Sequence, residues 1–194
     1  MQDGIMLIIS GPAGSGKNTV AERLMSEFPN IERVITSTSR QPRGQEKNGI
    51  DYHFLSVEDF ESGIKSGEFL EYAKVHDRYY GTSKSAIETP ISKGKDVILI
   101  IDVQGAETWK NIAKENAALG KRITSVFVAP DSIDELRKRL KGRATESEAE
   151  IDRRMETAVF EYTKADLFDK KINSKSRDED YSALREIYLS AKAK

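Results

Sequence analysis

Gly11-Pro12-Ala13-Gly14-Ser15-Gly16-Lys17-Asn18-Thr19 follows the apolar run Ile5-Met6-Leu7-Ile8-Ile9 and leads straight into Val20-Ala21-Glu22-Arg23-Leu24-Met25. This order reads as a buried strand, a tight glycine-rich turn and a helix. Such a turn at a helix start makes several backbone N–H groups converge on one concavity, and anions bind there. Gly11, Gly14 and Gly16 permit positive φ and close approach to phosphate oxygens, while Lys17 reaches the β- and γ-phosphates of a nucleotide. The spacing fits the Walker A pattern except at Asn18, where that pattern has Ser or Thr. In that position a hydroxyl contacts Mg²⁺, whereas the Asn18 amide oxygen is a neutral, bulkier ligand that binds directly or through water. Thr19 is left to serve the α-phosphate. Gly11 to Thr19 is thus the expected phosphate loop of an ATP site.

At 194 residues the chain can build one substantial core with small inserted lobes, so a single domain spanning 1–194 is expected. Its 31 Lys and Arg nearly balance 32 Asp and Glu, and a net charge of −1 argues against nucleic acid or an anionic membrane as partner. Cys is absent, which excludes disulfides, cysteine metal sites and thiol catalysis and fits a reducing compartment. The N-terminal apolar run is too short for a signal-peptide core or a membrane span, so a cytoplasmic location is expected.

Along the chain, helical spacing covers Thr19 to Glu27, and Ile31 to Thr36 resembles a strand. The polar segment Ser37-Thr38-Ser39-Arg40-Gln41-Pro42-Arg43-Gly44 carries two arginines on a backbone stiffened by Pro42. Guanidinium forks bind phosphate bidentately, so it suits an oxyanion clamp; taken alone it is equally a solvated turn. Gly49 to Leu55 alternates like a strand, Val57 to Ser66 is an amphipathic helix, and Phe69 to Ala73 and Tyr79 to Thr82 are strand-like. Ser83 to Ser92 is helical despite Pro90. A second apolar strand, Asp96 to Asp102, ends in a carboxylate, the usual place for groups acting on Mg²⁺ or substrate beside a phosphate loop. A helix carrying Trp109 opens at Val103, and Ile123 to Pro130 is a third apolar strand. A basic helix from Ile133 to Leu140, a loop from Lys141 to Glu146, a helix from Glu148 to Leu167, a strand from Phe168 to Asn173 and a helix from Glu179 to Ala193 complete the chain. Alternating strands and helices indicate an α/β fold with a parallel sheet.

The basic stretch Arg137, Lys138, Arg139, Lys141 and Arg143, with Arg153 and Arg154 beyond it, is either a solvated helix face or a lid that brings arginines onto bound phosphates. The phosphate loop favours the lid. His53 and His76 are far apart in sequence and are read as surface or packing residues. Trp109 is expected to pack its helix on the sheet.

Several segments, taken in order, resemble the guanylate kinases, which convert GMP and ATP to GDP and ADP. They are Ser39-Arg40-Gln41-Pro42-Arg43, Asn48-Gly49-Ile50-Asp51-Tyr52, Gly67-Glu68-Phe69-Leu70-Glu71, Tyr79-Tyr80-Gly81-Thr82, Ile101-Asp102-Val103-Gln104-Gly105 and Gly142-Arg143-Ala144-Thr145-Glu146. The resemblance spans about Ile5 to Leu189. It implies a core of 1–36, 91–129 and 156–194, a small, mostly β GMP-binding lobe at 37–90 and a helical lid at 130–155. It places Arg40, Arg43, Tyr52 and Tyr80 on the GMP phosphate, Thr36, Glu71, Thr82 and Asp102 around the guanine with Gly81 beside them, and Asn173 near the adenine. Guanine offers N1–H and N2–H₂ side by side to one carboxylate; adenine would leave Glu71 desolvated and unpaired.

The implied catalytic set is Lys17, Arg40, Arg139, Arg143 and Arg154, with Mg²⁺ bound alongside ATP. GMP, or dGMP, is the implied acceptor, and the chain acts as a monomer or homodimer. Two other readings accompany this one: a guanylate-kinase-like binding module without catalysis, and a related sugar-phosphate kinase such as ribose bisphosphate phosphokinase. The chain departs from the family pattern at Asn18, at Ile100 where Asp or Glu is usual, at Ala144 where glycine is usual, and at Ser174 where Asp is common.

Overall fold

Met6–Ser10 (β1) is buried at every residue, a burden that falls on a strand covered on both faces. The computed structural model describes residues 4–75, 77–142 and 147–193. In it β1 is the central strand of a five-stranded sheet, flanked on one side by β7 (Asp96–Ile100) and then β2 (Ile31–Arg33), and on the other by β8 (Ile123–Ala129) and then β9 (Lys170–Asn173). Every neighbouring pair in this sheet is parallel. The period of two divides β1 between two cores. Ile5, Leu7 and Ile9 cluster with Val20 and Leu24 of α1 (Lys17–Glu27) and with Leu184 and Tyr188 of α8 (Arg177–Lys192). Met6 and Ile8 face the other way, clustering with Ile87 of α3 (Lys84–Ser92) and with Val103 and Trp109 of α4 (Val103–Glu115). Trp109 is fully buried there.

A second sheet has the order β4 (His53–Phe54), β3 (Ser37–Thr38), β6 (Arg78–Ser83), β5 (Phe69–Val75). Its own small core is aromatic. Phe60 of α2 (Val57–Lys65) stacks on Phe69 at 4.3 Å between ring centroids and on Tyr79 at 5.2 Å. A third piece, α6 (Ile133–Lys141) with α7 (Glu148–Thr163), closes a separate cluster of Leu136, Leu140, Ile151, Met155 and Ala158.

Several boundaries differ from the sequence expectation. The strand expected at Gly49 to Leu55 shrinks to His53–Phe54, because residues 49–52 form a turn. Gly49 takes φ 76° there, and the Asp51 carboxylate accepts from the Lys47 N–H at 2.7 Å. The strand expected at Ile31 to Thr36 ends at Arg33; by Thr36 the chain has changed sheets, its carbonyl accepting from the His53 N–H. The helix expected to run to Leu167 stops at Thr163 and is followed by a 3₁₀ turn, Ala165–Leu167. Asp102 lies beyond β7, and its Oδ1 accepts from the Gly105 N–H at 2.8 Å as the N-cap of α4. A four-residue helix, α5 (Ala117–Gly120), was not anticipated; the Asn116 side chain caps it.

Asp96 fastens the bottom of this sheet. Its buried carboxylate accepts from the Ile5 N–H at 2.8 Å, the Tyr188 hydroxyl at 2.8 Å and Lys192 Nζ at 3.0 Å, joining β7, β1 and α8. Burial, and then this carboxylate, push the Tyr188 phenol well above its usual range. Replacing Asp96 by Ala leaves an N–H, a phenol and an ammonium without their shared acceptor. It is expected to cost about 3 kcal/mol of stability. Urea denaturation measures it, and a loss under about 1 kcal/mol would deny the network that role.

Candidate functional site

The site lies where β1 and β7 end side by side, with Ile9 paired to Ile100, at the carboxyl edge of a parallel sheet. Gly11 (φ 135°), Gly14 (φ 86°) and Gly16 (φ 96°) all adopt positive φ, as the phosphate-loop reading requires. A Cβ on Gly11 would stand 2.1 Å from the Val128 carbonyl oxygen, and one on Gly14 would stand 2.8 Å from Leu140 Cδ2. The loop is thus pressed against β8 on one side and α6 on another. Lys17 Nζ donates to the Gly11 carbonyl at 2.6 Å and the Pro12 carbonyl at 2.8 Å, drawing the loop around its ammonium. No side chain caps α1, so its first N–H groups face the concavity. Ser15 is buried beneath the loop, whereas Ala13, Asn18 and Thr19 are exposed.

A cavity of about 530 Å³ extends from this loop to the second sheet. Gly11, Ala13, Lys17, Asn18, Thr36, Tyr52, Glu71, Tyr80, Gly81 and Asp102 line it. Thr82 stands behind, fully buried, and donates its hydroxyl to Glu71 Oε1 at 2.6 Å. Burial pushes the Glu71 carboxyl above its usual range; the Thr82 bond opposes this, Asp102 adds to it, and the nearby Trp109 indole favours the ionised form without making a well-formed hydrogen bond. A larger crevice, about 850 Å³, opens at the amino ends of β8 and β9 and has no phosphate loop.

Arg40 is itself buried, and its guanidinium grips Glu46 bidentately at 2.6 and 2.8 Å. Glu46 also accepts from the Arg43 N–H at 2.7 Å, and the Arg40 hydrogen bond holds its carboxyl below the usual range. The Arg40 guanidinium lies 5.1 Å from the Tyr52 ring, and Tyr52 meets Tyr80 edge-on at 6.4 Å. These contacts gather the two tyrosines and Arg40 into one wall. The Arg43 side chain is exposed. Arg139 and Arg154 do not line the cavity. Arg139 bonds Ser174 and the Lys175 carbonyl, Arg154 pairs with Glu150 at 3.3 Å, and Asn173 is exposed at the end of β9. Arg143, Ala144, Glu146 and His76 lie outside the described residues.

Three lining carboxylates were not anticipated as site residues, Glu46, Asp51 and Glu161. Glu46 could have been found six residues from Arg40. Glu161 is the one charged residue on the buried stripe Ile151, Met155, Ala158, Glu161 of α7, a place that a carboxylate occupies only with a reason. Burial raises its pKa, Lys17 opposes that rise and Asp102 adds to it, so the three groups share one field. Asn18, Asp102 and Glu161 suit a Mg²⁺ ion that keeps its waters and phosphate ligands, since such an ion takes only one or two ligands from protein. Among the described residues no cluster of three metal-ligating side chains forms a dedicated cage.

The guanylate kinase family model matches residues 4–191. A guanylate kinase of Campylobacter jejuni is 40% identical over 190 residues, covering 97% of this chain and 90% of that protein. One of Bacteroides thetaiotaomicron is 44% identical over 170 residues, covering 87% and 80%. The crystal structure of guanylate kinase from Anaplasma phagocytophilum superimposes with a TM-score of 0.77 at 27% identity, over all of this chain and 89% of that one.

A carboxyl group accepts two neighbouring N–H donors, such as those on one edge of guanine, in its ionised form. Because the folded pKa of Glu71 is raised, GMP binding should begin to fail on acidification at a higher pH than an ordinary carboxylate would give. Calorimetric titration with GMP across pH should show this acid limb, and Glu71→Gln should remove it. A limb that persists in the variant would belong to another group.

Proposed function

This chain belongs to the guanylate kinase family, and from that premise we propose how its residues divide the work of moving the γ-phosphoryl group of ATP onto GMP. The observation that carries the reading is one continuous cavity with a phosphate loop at one end and the Thr82–Glu71 pair at the other. An acceptor nucleotide would lie in it with its base on Glu71 and its phosphate towards Lys17. Thr82 fixes one carboxylate oxygen, so Glu71 presents the remaining lone pairs to guanine N1–H and N2–H₂, with the Thr36 hydroxyl for a further polar edge. Asp102 and Gly81 complete the wall. Tyr52, Tyr80, Arg40 and Arg43 take the acceptor phosphate.

The nucleophile is a phosphate oxygen already ionised near neutral pH, so no general base is needed. The barrier is the approach of two anions in line. Lys17 and the N–H groups of Gly11 to Thr19 hold the donor phosphates. Arg40 and Arg43 hold the acceptor. Asn18, Asp102 and Glu161 are the residues that would hold Mg²⁺, which would supply neutralising charge when bound with ATP. Residues 37–90 act as the GMP lobe and 130–155 as the lid, the α6–α7 hairpin bringing Arg154 and Arg143 to the phosphates while Arg139 stays on the donor side. Closure excludes water and limits ATP hydrolysis. dGMP fits the same contacts, since none of them involves the ribose 2′-hydroxyl.

An ADP-release assay with Mg²⁺-ATP and each of GMP, AMP, CMP and UMP should give turnover with GMP alone, and turnover independent of the base would defeat the guanine reader. Arg40→Ala is expected to lower kcat at least about a hundredfold with ATP binding changed less than about threefold. Wild-type kcat in that variant would remove Arg40 from the acceptor clamp. Asn18→Ser, which restores the hydroxyl, should lower the Mg²⁺ concentration needed for half-maximal rate; an unchanged requirement would place the ion away from this side chain.

A further inference from the structure

Ser174 stands where an aspartate would put a second carboxylate next to Arg139, beside the Glu135 carboxylate that already meets Arg139 Nε at 3.3 Å, and a buried carboxylate lies one residue further away in space. Arg139 Nη1 donates to Ser174 Oγ at 2.7 Å, and Ser174 Oγ lies 2.5 Å from Asp180 Oδ2. The direction of this chain is fixed by chemistry. A guanidinium can only donate and a carboxylate can only accept, so the single hydroxyl proton of Ser174 must point to Asp180. Asp180 Oδ1 accepts from the Lys175 N–H at 2.8 Å, and Arg139 Nη2 donates to the Ser174 carbonyl at 2.9 Å and the Lys175 carbonyl at 3.0 Å. Ser174 is 3% exposed and Asp180 5%. A buried carboxylate and a guanidinium are thus coupled through one hydroxyl, where either alone would be poorly solvated.

The location matters. The acceptor cavity lies on the β7 side of the phosphate loop. In-line transfer sets the leaving ADP opposite the acceptor oxygen, and on the kinase reading the donor nucleoside would then lie on the other side of the loop, towards the carboxyl ends of β8 and β9. Those ends are joined by the Ser174 N–H donating to the Ala129 carbonyl at 2.8 Å. α6 spans this side. Leu136 and Leu140 press on the phosphate loop at Gly14, and Arg139 from the same helix is bolted to the turn after β9. We propose that Asp180 is a positioning residue for ATP, acting through Ser174 to hold Arg139, and with it α6, at the rim of the donor site. The inference rests on the kinase reading above.

Asp180→Asn keeps size and removes charge; Ser174→Ala removes the relay hydroxyl. Both should weaken ADP binding about tenfold by calorimetry and raise KM for ATP alike, with KM for GMP within twofold of wild type. Ser174→Asp combined with Asp180→Ser moves the carboxylate directly beside Arg139 and should recover most of the ADP affinity. A merely structural role would move both substrates together, or would not be rescued by relocating the charge. Unchanged ADP affinity in both single variants, or an equal loss towards GMP, overturns the proposal. Thermal melting identifies any variant that fails to fold, and the double variant then decides. Wild-type turnover that does not depend on GMP would instead fail the kinase reading, while the ADP titrations would still judge Asp180.

Discussion

The chain can turn away from β1 only because nothing fills the 2.1 Å between the place of a Gly11 Cβ and the Val128 carbonyl. That close approach holds the phosphate loop against β8, aims α1 so that its N-terminus faces the carboxyl edge of the sheet, and leaves Lys17 to close the loop from within. The other elements are placed with respect to it. β7 brings Asp102 to one side, β8 and β9 bring the Ser174 turn to the other, and α6 rests on Gly14 from above. A different residue at Gly11 would disturb all these relations together, since the obstacle is backbone and cannot rotate aside.

The cavity that results is more acidic than a phosphate site first suggests. Glu46, Asp51, Glu71, Asp102 and Glu161 line it against Lys17 and Arg33. Each carboxylate has a distinct restraint. Glu46 is bound by Arg40, Asp51 accepts from the Lys47 N–H, Asp102 caps α4, Glu71 is held by Thr82, and Glu161 shares the field of Lys17. Two nucleotides brought into this field need added cations, which gives a physical reason for a divalent ion and for arginines carried on a separate hairpin. Arg40 is buried together with its own counter-charge, the Glu46 carboxylate.

Much of the fold was legible because it rests on local patterns. Doubly buried strands read as continuous apolar runs, and the positive φ of Gly11, Gly14 and Gly16 follows from the turn they form. The stretch Gly49 to Leu55 misled because its apolar alternation imitates a strand. Gly49 and Asp51 instead satisfy the backbone as a turn, and the stretch joins β3 as a strand at His53 and Phe54. Within the site, residues belonging to compact motifs could be named, including Lys17, Arg40 and Glu71. Glu161 could not, because its meaning comes from Lys17 and Asp102, which are remote in sequence and brought near by the packing of α7. Arg139 was legible as one residue of a basic helix; its anchorage on Ser174 and Lys175 depends on how α6 lies over β9, which no local pattern states.

Two departures from the family pattern share one logic. At Ile100 the chain places an alkyl group on the cavity wall, and a carboxylate in the field of Lys17 and Asp102 comes from Glu161 on another helix. At Ser174 the carboxylate again comes from elsewhere, from Asp180 in the first turns of α8. What a site requires is charge at a point in space, within hydrogen-bond reach or within the same low-dielectric volume. The sequence position that supplies it is free to move wherever the fold brings two elements together. The substituted positions are therefore poor guides to lost chemistry when judged alone, and the test of each is whether the neighbouring element has taken up the charge.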